Sequence, residues 1–140
     1  CDADERHLPS AFRGCTMNLF AVGVGGALGA VCRYLLGQMI SKLGNGFPLG
    51  TFAVNIIGCF AIGLIVGFVG KHNDFDPRLV LFLQTGICGG FTTFSTFSLE
   101  SLILLEEGRL TIGVLYIILS ILLGLAALLA ARNLVSGWQI

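Results

Sequence analysis

The chain has 140 residues, of which 55% are hydrophobic and only 11% are charged, and its eight basic and eight acidic side chains cancel. A soluble domain carries about 25% charged residues, and a small one must cover a large surface with polar groups. This composition excludes a nucleic-acid-binding protein, an acidic tail and a disordered segment. It indicates a protein that lies in the lipid bilayer.

The charged residues leave long gaps along the chain. Segments 48–70, 79–99 and 111–131 carry none, and segment 19–40 carries Arg33 alone. Each segment is long enough to supply the ~20 helical residues that cross a hydrocarbon core. We therefore predict an all-α membrane protein with four transmembrane helices, which together form one transmembrane domain over residues 17–135.

Residues 1–16 differ from everything that follows, because they mix charges of both signs and show no helical apolar stripe. Their acidic start does not fit a signal peptide. We expect an N-terminal extension that is non-native or poorly ordered, with a genuine tail on one side of the membrane as the alternative. Residues 136–140 are predicted to form a C-terminal tail.

The predicted helices follow in chain order. The first covers about 17–39, and the second starts at Pro48, which suits a first helical turn, and ends near Gly70. Asp76 and Pro77 form an N-cap and first-turn pair for the third helix. The fourth enters through Thr111. Small residues four apart, which let helices approach closely in lipid, occur in the first two helices as Gly25, Gly29, Gly63 and Gly67.

The middle of the third helix is polar and rich in glycine. Residues 86–98 read GICGGFTTFSTFS, with five hydroxyl side chains after the glycine pair. Non-helical backbone at membrane depth is tolerated only where it is buried in protein or lines a cavity. The two ends of such a broken helix present free carbonyl and N–H groups that bind ions. We predict that the third helix is broken in the middle of the membrane.

The basic residues show almost no bias between the two sides of the membrane. From residue 17 onward, one side carries Lys71, Arg78 and Arg132, and the other carries Lys42, Arg109 and, if it snorkels, Arg33. A chain without a positive-inside bias is able to insert in both orientations, and two opposed copies could pair around a two-fold axis. We expect a dual-topology antiparallel homodimer. The basis for this expectation is weaker if Arg6 and Arg13 are native residues, because they add two charges to the first side.

The apolar spans contain neutral hydrogen-bond donors but almost no titratable group. Glu100, at the end of the third helix, is the only carboxylate in a predicted span. Because coupled proton antiport usually needs a carboxylate within the membrane, this pattern favours a passive pathway over a pump.

Phe94 and Phe97 are three residues apart and share one face of the second half of this helix. Their positive ring edges, with amide donors from Asn55, could replace the water around a small anion. The hydroxyl groups that would extend this set of donors belong to Ser95, Thr96 and Ser98. Ordinary packing, with each hydroxyl bonded to the carbonyl four residues earlier, is an open alternative.

Two further pairs also have two interpretations. Tyr116 and Ser120 are four apart and share a face of the fourth helix, where their hydroxyls either line the pathway or link helices. Arg33 and Glu100 are the charges nearest the apolar spans, and they either pair or face a water-filled vestibule.

Three motifs occur in order along the chain: GGALGAVCRY at 25–34, GTFAVNIIGCFAIG at 50–63 and GICGGFTTFSTFSLE at 86–100. With them the chain resembles the small fluoride channels of the Fluc or CrcB family over residues 17–134. The resemblance implies an antiparallel dual-topology homodimer with two fluoride pores in a bacterial inner or plasma membrane. It implies passive export of cytoplasmic fluoride and fluoride resistance, with no enzymatic activity, no nucleic acid and no other protein partner.

The resemblance also assigns roles to individual positions. The implied fluoride pore residues are Phe94, Phe97, Asn55, Ser95, Thr96, Tyr116 and Ser120. A structural sodium ion at the dimer centre would be held by the backbone carbonyls of Gly89 and Thr92 from both subunits. Arg33 and Glu100 remain candidates for a vestibule or a structural pair.

Two other functions are alternatives to a fluoride channel. A small multidrug transporter would need a carboxylate in the first helix, where this chain has Arg33 instead. A structural subunit of a larger membrane complex would have no need for a polar break in the third helix.

Overall fold

The computed structural model describes residues 8–71 and 74–137, with side chains from residue 14 onward. All regular structure in these ranges is helical. The elements are α1 (Leu8–Ser41), α2 (Leu49–Lys71), α3 (Pro77–Leu81), a π-helical segment (Phe82–Cys88), α4 (Gly89–Phe91), α5 (Phe94–Glu106) and α6 (Leu110–Ser136).

Four stretches are long and apolar enough to cross a bilayer, which confirms the prediction of four membrane-spanning helices. They are Gly14–Ser41, Leu49–Lys71, Pro77–Glu106 and Leu110–Ser136. Large apolar side chains such as Phe20, Leu35 and Leu122 remain exposed on their outer faces. This exposure is expected where lipid, and not water, surrounds the helices, and the chain is a multi-pass membrane protein.

The first helix is longer than its apolar segment. α1 begins at Leu8 and not at Met17, where the sequence pattern placed its start. Pro9 is tolerated there because the N–H groups of a first helical turn have no partner within the helix. Residues 1–7 and 138–140 lie outside the described residues, so the predicted nature of the extension and of the tail stays a prediction.

Contacts near the helix ends fix the directions of the helices. At one end, the guanidinium group of Arg109, before α6, donates to the carbonyl of Gly46, before α2. At the other end, Lys71 Nζ donates to the carbonyl of Val135 at 3.5 Å. Consequently α2 and α6 run in one direction, and α1 and the third span run in the other.

Glycines allow the helices to approach closely. α2 packs most extensively on α6, and a Cβ atom added at Gly63 would lie 2.9 Å from the Cβ atom of Ala131. A Cβ atom added at Gly25 in α1 would lie 2.6 Å from the carbonyl oxygen of Phe82 and 2.9 Å from the Cα atom of Gly86. The predicted stripes of small residues therefore pack helix backbone against helix backbone.

Candidate functional site

The third span changes its backbone geometry several times. The π-helical segment leads into the short α4, and Thr92 and Thr93 then take extended conformations, with φ and ψ of −80° and 155° and of −145° and 118°. The Oγ1 atom of Thr93 accepts a hydrogen bond from the amide of Thr96 at 3.3 Å, so Thr93 caps the N-terminus of α5.

Asn55 of α2 holds this extended stretch with both ends of its side chain. Its Oδ1 atom accepts from the amide of Thr93 at 2.8 Å, and its Nδ2 atom donates to the carbonyl of Thr93 at 3.1 Å. Backbone groups that leave a helix inside an apolar protein need such partners. The structure therefore places Asn55 against the helix interruption, with its amide group in contact with backbone.

Two backbone carbonyls lose their helical donors at the interruption. In a continuous α-helix the amide of residue i donates to the carbonyl of residue i−4. The amide of Thr93 donates to Asn55, and so it does not donate to the carbonyl of Gly89. The amide of Thr96 donates to the Thr93 hydroxyl, and so it does not donate to the carbonyl of Thr92. These are the two carbonyls to which the family resemblance assigned a sodium ion.

A groove of about 370 Å³ lies beside the interruption. Four of the predicted pore residues line it, together with both candidate carbonyl residues: Asn55, Phe94, Phe97, Ser120, Gly89 and Thr92. The Oγ atom of Ser120 is buried and has no hydrogen-bond partner among the residues that the structure describes. The groove is therefore mainly apolar with a few polar groups, the usual character of a binding site.

The two phenylalanines of α5 occupy different environments. Phe94 is 79% exposed, and its ring centroid lies 5.7 Å from that of Phe97. The Phe97 ring also lies 5.2 Å from the ring of Tyr116 in α6. Phe97 is therefore fixed by aromatic packing on both sides, whereas Phe94 projects from the surface of the single chain.

Glu100 joins three helices. Its two carboxyl oxygens accept from Thr51 Oγ1 in α2 and from the Tyr116 hydroxyl in α6, each at 2.8 Å. Tyr116 is completely buried, with the rings of Phe47 and Phe52 beside it. The Tyr116 hydroxyl thus links helices, while Ser120, four residues later, lines the groove.

Thr51 is a site residue that the sequence reasoning missed. It precedes Asn55 by four residues and so lies on the same face of α2. That spacing, next to a polar residue in an otherwise apolar span, was the signal available in the sequence.

Ser95 and Thr96 belong to a small network of hydroxyl groups. The Thr93 hydroxyl donates to Thr96 Oγ1 at 3.1 Å and lies 3.3 Å from Ser95 Oγ. The Ser98 hydroxyl instead donates to the carbonyl of Phe94, as in ordinary helix packing. Thr93 connects the predicted polar residues, although the motif reading had assigned it no role.

A second cavity of about 500 Å³ shares Thr93 with the groove, because this residue lines both. Arg33, Thr51 and Thr96 are among the residues that line it. Arg33 and Glu100 do not pair, because in residues 8–71 and 74–137 the only ion pair joins Arg109 to Glu107 at 3.5 Å. Arg33 thus lines a cavity, while Glu100 bonds to neutral partners, and a vestibule role for either charge stays a prediction.

Comparison with known proteins identifies the family of this chain. A family model described as "CrcB-like protein, Camphor Resistance (CrcB)" matches residues 20–132. The chain is 46% identical to the fluoride-specific ion channel FluC of Azobacteroides pseudotrichonymphae over 112 residues, which cover 79% of this chain and 90% of the relative.

Two further relatives give the same result. The fluoride-specific ion channel FluC of Flavobacterium psychrophilum is 48% identical over 110 residues, which cover 78% of this chain and 89% of the relative. The fluoride-specific ion channel FluC of Agrobacterium fabrum is 46% identical over 119 residues, which cover 84% of this chain and 95% of the relative. These relatives are named as ion channels, in agreement with the expectation that the chain is not an enzyme. The chain belongs to the CrcB family of membrane proteins.

Proposed function

We propose that this protein is a fluoride-selective ion channel that exports cytoplasmic fluoride passively and confers fluoride resistance. The observation that carries the proposal is the groove beside the helix interruption, which gathers Phe94, Phe97 and Ser120 in a chain of this family. The named relatives, at more than 40% identity, are fluoride-specific channels. We place the interruption at Thr92 and Thr93 within the bilayer, inside the third span.

Neutral donors and ring edges would carry the anion. Ser120, Phe94 and Phe97 line the groove, and no charged side chain of the described residues does. A small anion that leaves water needs close, positively polarised partners, and aromatic edges and hydroxyl groups supply them. Beyond Thr93, the hydroxyl groups of Ser95 and Thr96 would extend the path towards the second cavity.

The contacts of Glu100 support a passive mechanism. Both of its carboxyl oxygens already accept hydrogen bonds, from Thr51 and Tyr116, so the carboxyl group has a structural role. A carboxyl group that carried protons would have to break these hydrogen bonds. Hydrogen fluoride enters cells as the neutral acid and ionises near neutral pH, so fluoride accumulates inside. An inside-negative membrane potential then drives the anion outwards without a pump.

The surface of the single chain supports an antiparallel dual-topology homodimer. Phe94 is 79% exposed and Gly89 is exposed beside it, although both line the groove. A second copy against this face would complete the wall of the pathway and cover the polar backbone. From residue 17 onward, the almost even distribution of basic residues between the two ends would allow the two copies to insert in opposite directions.

The same face fits a structural sodium ion at the dimer centre. The carbonyls of Gly89 and Thr92 have lost their helical donors to Asn55 and Thr93, so they are available as oxygen ligands. A helix C-terminus carries partial negative charge that favours a cation. When bound, the ion would supply positive charge that joins the carbonyls of the two copies.

Fluoride efflux from proteoliposomes tests this function. The purified protein is reconstituted into vesicles loaded with potassium fluoride, and efflux is started with a potassium ionophore. We expect fluoride release that chloride does not reproduce. Absence of fluoride release, or equal chloride release, would contradict the proposal.

The aromatic contribution has its own test. We expect Phe94→Ile and Phe97→Ile each to lower fluoride efflux at least tenfold while the dimer persists, because an aliphatic side chain has no polarised ring edge. The measurement is efflux per dimer recovered by size exclusion. The exposed Leu99→Ile on the same helix is the matched control. Unchanged efflux in both phenylalanine variants would remove the ring-edge role.

A further inference from the structure

Gln84 is a polar residue of the groove to which neither the motifs nor the proposed pathway gave a role. It lies in the π-helical segment and lines the groove together with Phe97 and Ser120. The amide of Gly89 donates to the carbonyl of Gln84, five residues earlier, which is the wide turn of a π-helix. Such turns occur frequently at functional sites.

The side chain of Gln84 has no hydrogen-bond partner among the residues that the structure describes. The Ser120 Oγ atom in the same groove is likewise unpartnered. An unpaired carboxamide or hydroxyl in an apolar, lipid-surrounded site is unfavourable. Two such groups in one groove therefore indicate a polar ligand between or beside them.

The other polar side chains of the groove are already engaged. Asn55 bonds to the backbone of Thr93, and Thr92 Oγ1 donates to the carbonyl of Cys88 at 2.9 Å. No charged side chain lines the groove in the described part of the chain. A carboxamide supplies two N–H donors and a hydroxyl supplies one. The chemistry of the free groups therefore suits a small anion held by neutral donors.

We propose that Gln84 is a further anion-contacting residue of the channel, which binds permeating fluoride through its carboxamide N–H groups together with the Ser120 hydroxyl. This inference rests on the proposed fluoride channel function and adds a contact to that same pathway. It places the anion at the π-helical side of the interruption before it reaches Phe94 and Phe97.

Two substitutions at this position test the proposal in proteoliposomes. Gln84→Met keeps the length of the side chain and removes its donors, and we expect about fivefold to tenfold slower fluoride efflux at low fluoride concentration. Gln84→Glu places a carboxylate in the groove, and we expect efflux to be almost abolished by charge repulsion. The neighbouring exposed residue gives the matched control, Thr85→Val, which should match the wild type.

The outcomes separate this proposal from the one on which it rests. Wild-type efflux with unchanged efflux in Gln84→Met would overturn the role of Gln84 alone. A loss of dimer with unchanged efflux per remaining dimer would also overturn it, because Gln84 would then contact the second copy. No efflux from the wild type would overturn the channel function and the anion contact together. Efflux is normalised to recovered dimer, so poor folding of one variant leaves the other decisive.

Discussion

At the scale of single residues, the site depends on which partner each polar side chain takes. Asn55 satisfies both backbone groups of Thr93 and thereby holds the extended stretch between α4 and α5. Tyr116 and Thr51 satisfy both oxygens of Glu100. In an apolar environment an unpaired polar group lowers the free energy of unfolding by more than a hydrogen-bonded pair raises it. Removal of any one of these side-chain partners should therefore clearly lower the stability of the protein.

Asn55→Leu should destabilise the protein and stop fluoride efflux. The substitution keeps the branched side-chain skeleton but leaves the amide and carbonyl of Thr93 without partners, at a cost of about 2–4 kcal/mol. The measurement is unfolding in mild detergent, followed by helical circular dichroism. Ser101→Ala is the control, because the Ser101 hydroxyl bonds only to the carbonyl of Phe97 within its own helix. Equal stability of the two variants would contradict the role given to Asn55.

Tyr116→Phe should lower stability by about 1–3 kcal/mol, because it keeps the buried ring but removes the donor to Glu100. The comparison is with Tyr34→Phe, since the exposed Tyr34 hydroxyl only accepts from Gln38 at 3.2 Å. That control should change stability by less than about 0.5 kcal/mol. If both variants unfold at the same temperature, the Tyr116 hydroxyl has no structural importance.

At the scale of helices, close backbone approach positions the irregular third span. Gly25 and Gly29 of α1 face the π-helical segment and α4, where Gly86 and Gly90 offer no side chains. Small residues on both sides allow this contact, and the van der Waals packing that results is the main attraction between helices in lipid. The irregular span thus rests on the regular surface of α1.

Gly25→Ala should push α1 away from the third span and destabilise the protein by about 1–3 kcal/mol. The added Cβ atom would lie 2.6 Å from the carbonyl oxygen of Phe82, which is backbone and cannot rotate away. Gly23→Ala is the matched control on the same helix, because nothing lies within 4 Å of its added Cβ atom. Thermal unfolding in detergent compares the two variants. If Gly25→Ala is as stable as Gly23→Ala, the close approach of α1 to the third span is not needed for stability.

At the scale of the whole molecule, the orientation of each copy in the membrane determines whether two copies can form an antiparallel dimer. The loop that contains Asn45 lies at one end of the molecule and the loop that contains Asp74 lies at the other, as the two sets of loop contacts require. Both positions are exposed. From residue 17 onward, the almost even distribution of Lys and Arg leaves neither end clearly favoured for the cytoplasm.

A pair of charge variants should separate the two orientations. We expect Asn45→Lys to favour one orientation and Asp74→Lys the other, because added lysines near helix ends are retained in the cytoplasm. Each variant expressed alone should lose most fluoride efflux, and co-expression of the two should restore it. Tag accessibility in cells reports the orientation. A wild type with a single orientation, or a single variant with full efflux, would contradict an antiparallel dimer.

Much of the fold was predictable from the sequence. Segments 48–70 and 111–131 identified two spans by length and hydrophobicity alone, and residues 86–98 marked the unusual part of the third. Phe94, Phe97 and Ser120, which the family resemblance assigned to the pore, line one groove. Their pore roles stay predictions until efflux is measured. The start of α1 was placed too late, because helical backbone continues beyond the apolar segment that signals a span.

The sequence by itself determined the number and apolar character of the spans, because a hydrocarbon core imposes its thickness on local stretches of chain. Only the tertiary structure decided the pairing of polar groups. Glu100 bonds to Thr51 and Tyr116 and not to Arg33. These residues are far apart in sequence, so contact depends on the rotation and register of each packed helix, which hydropathy does not encode.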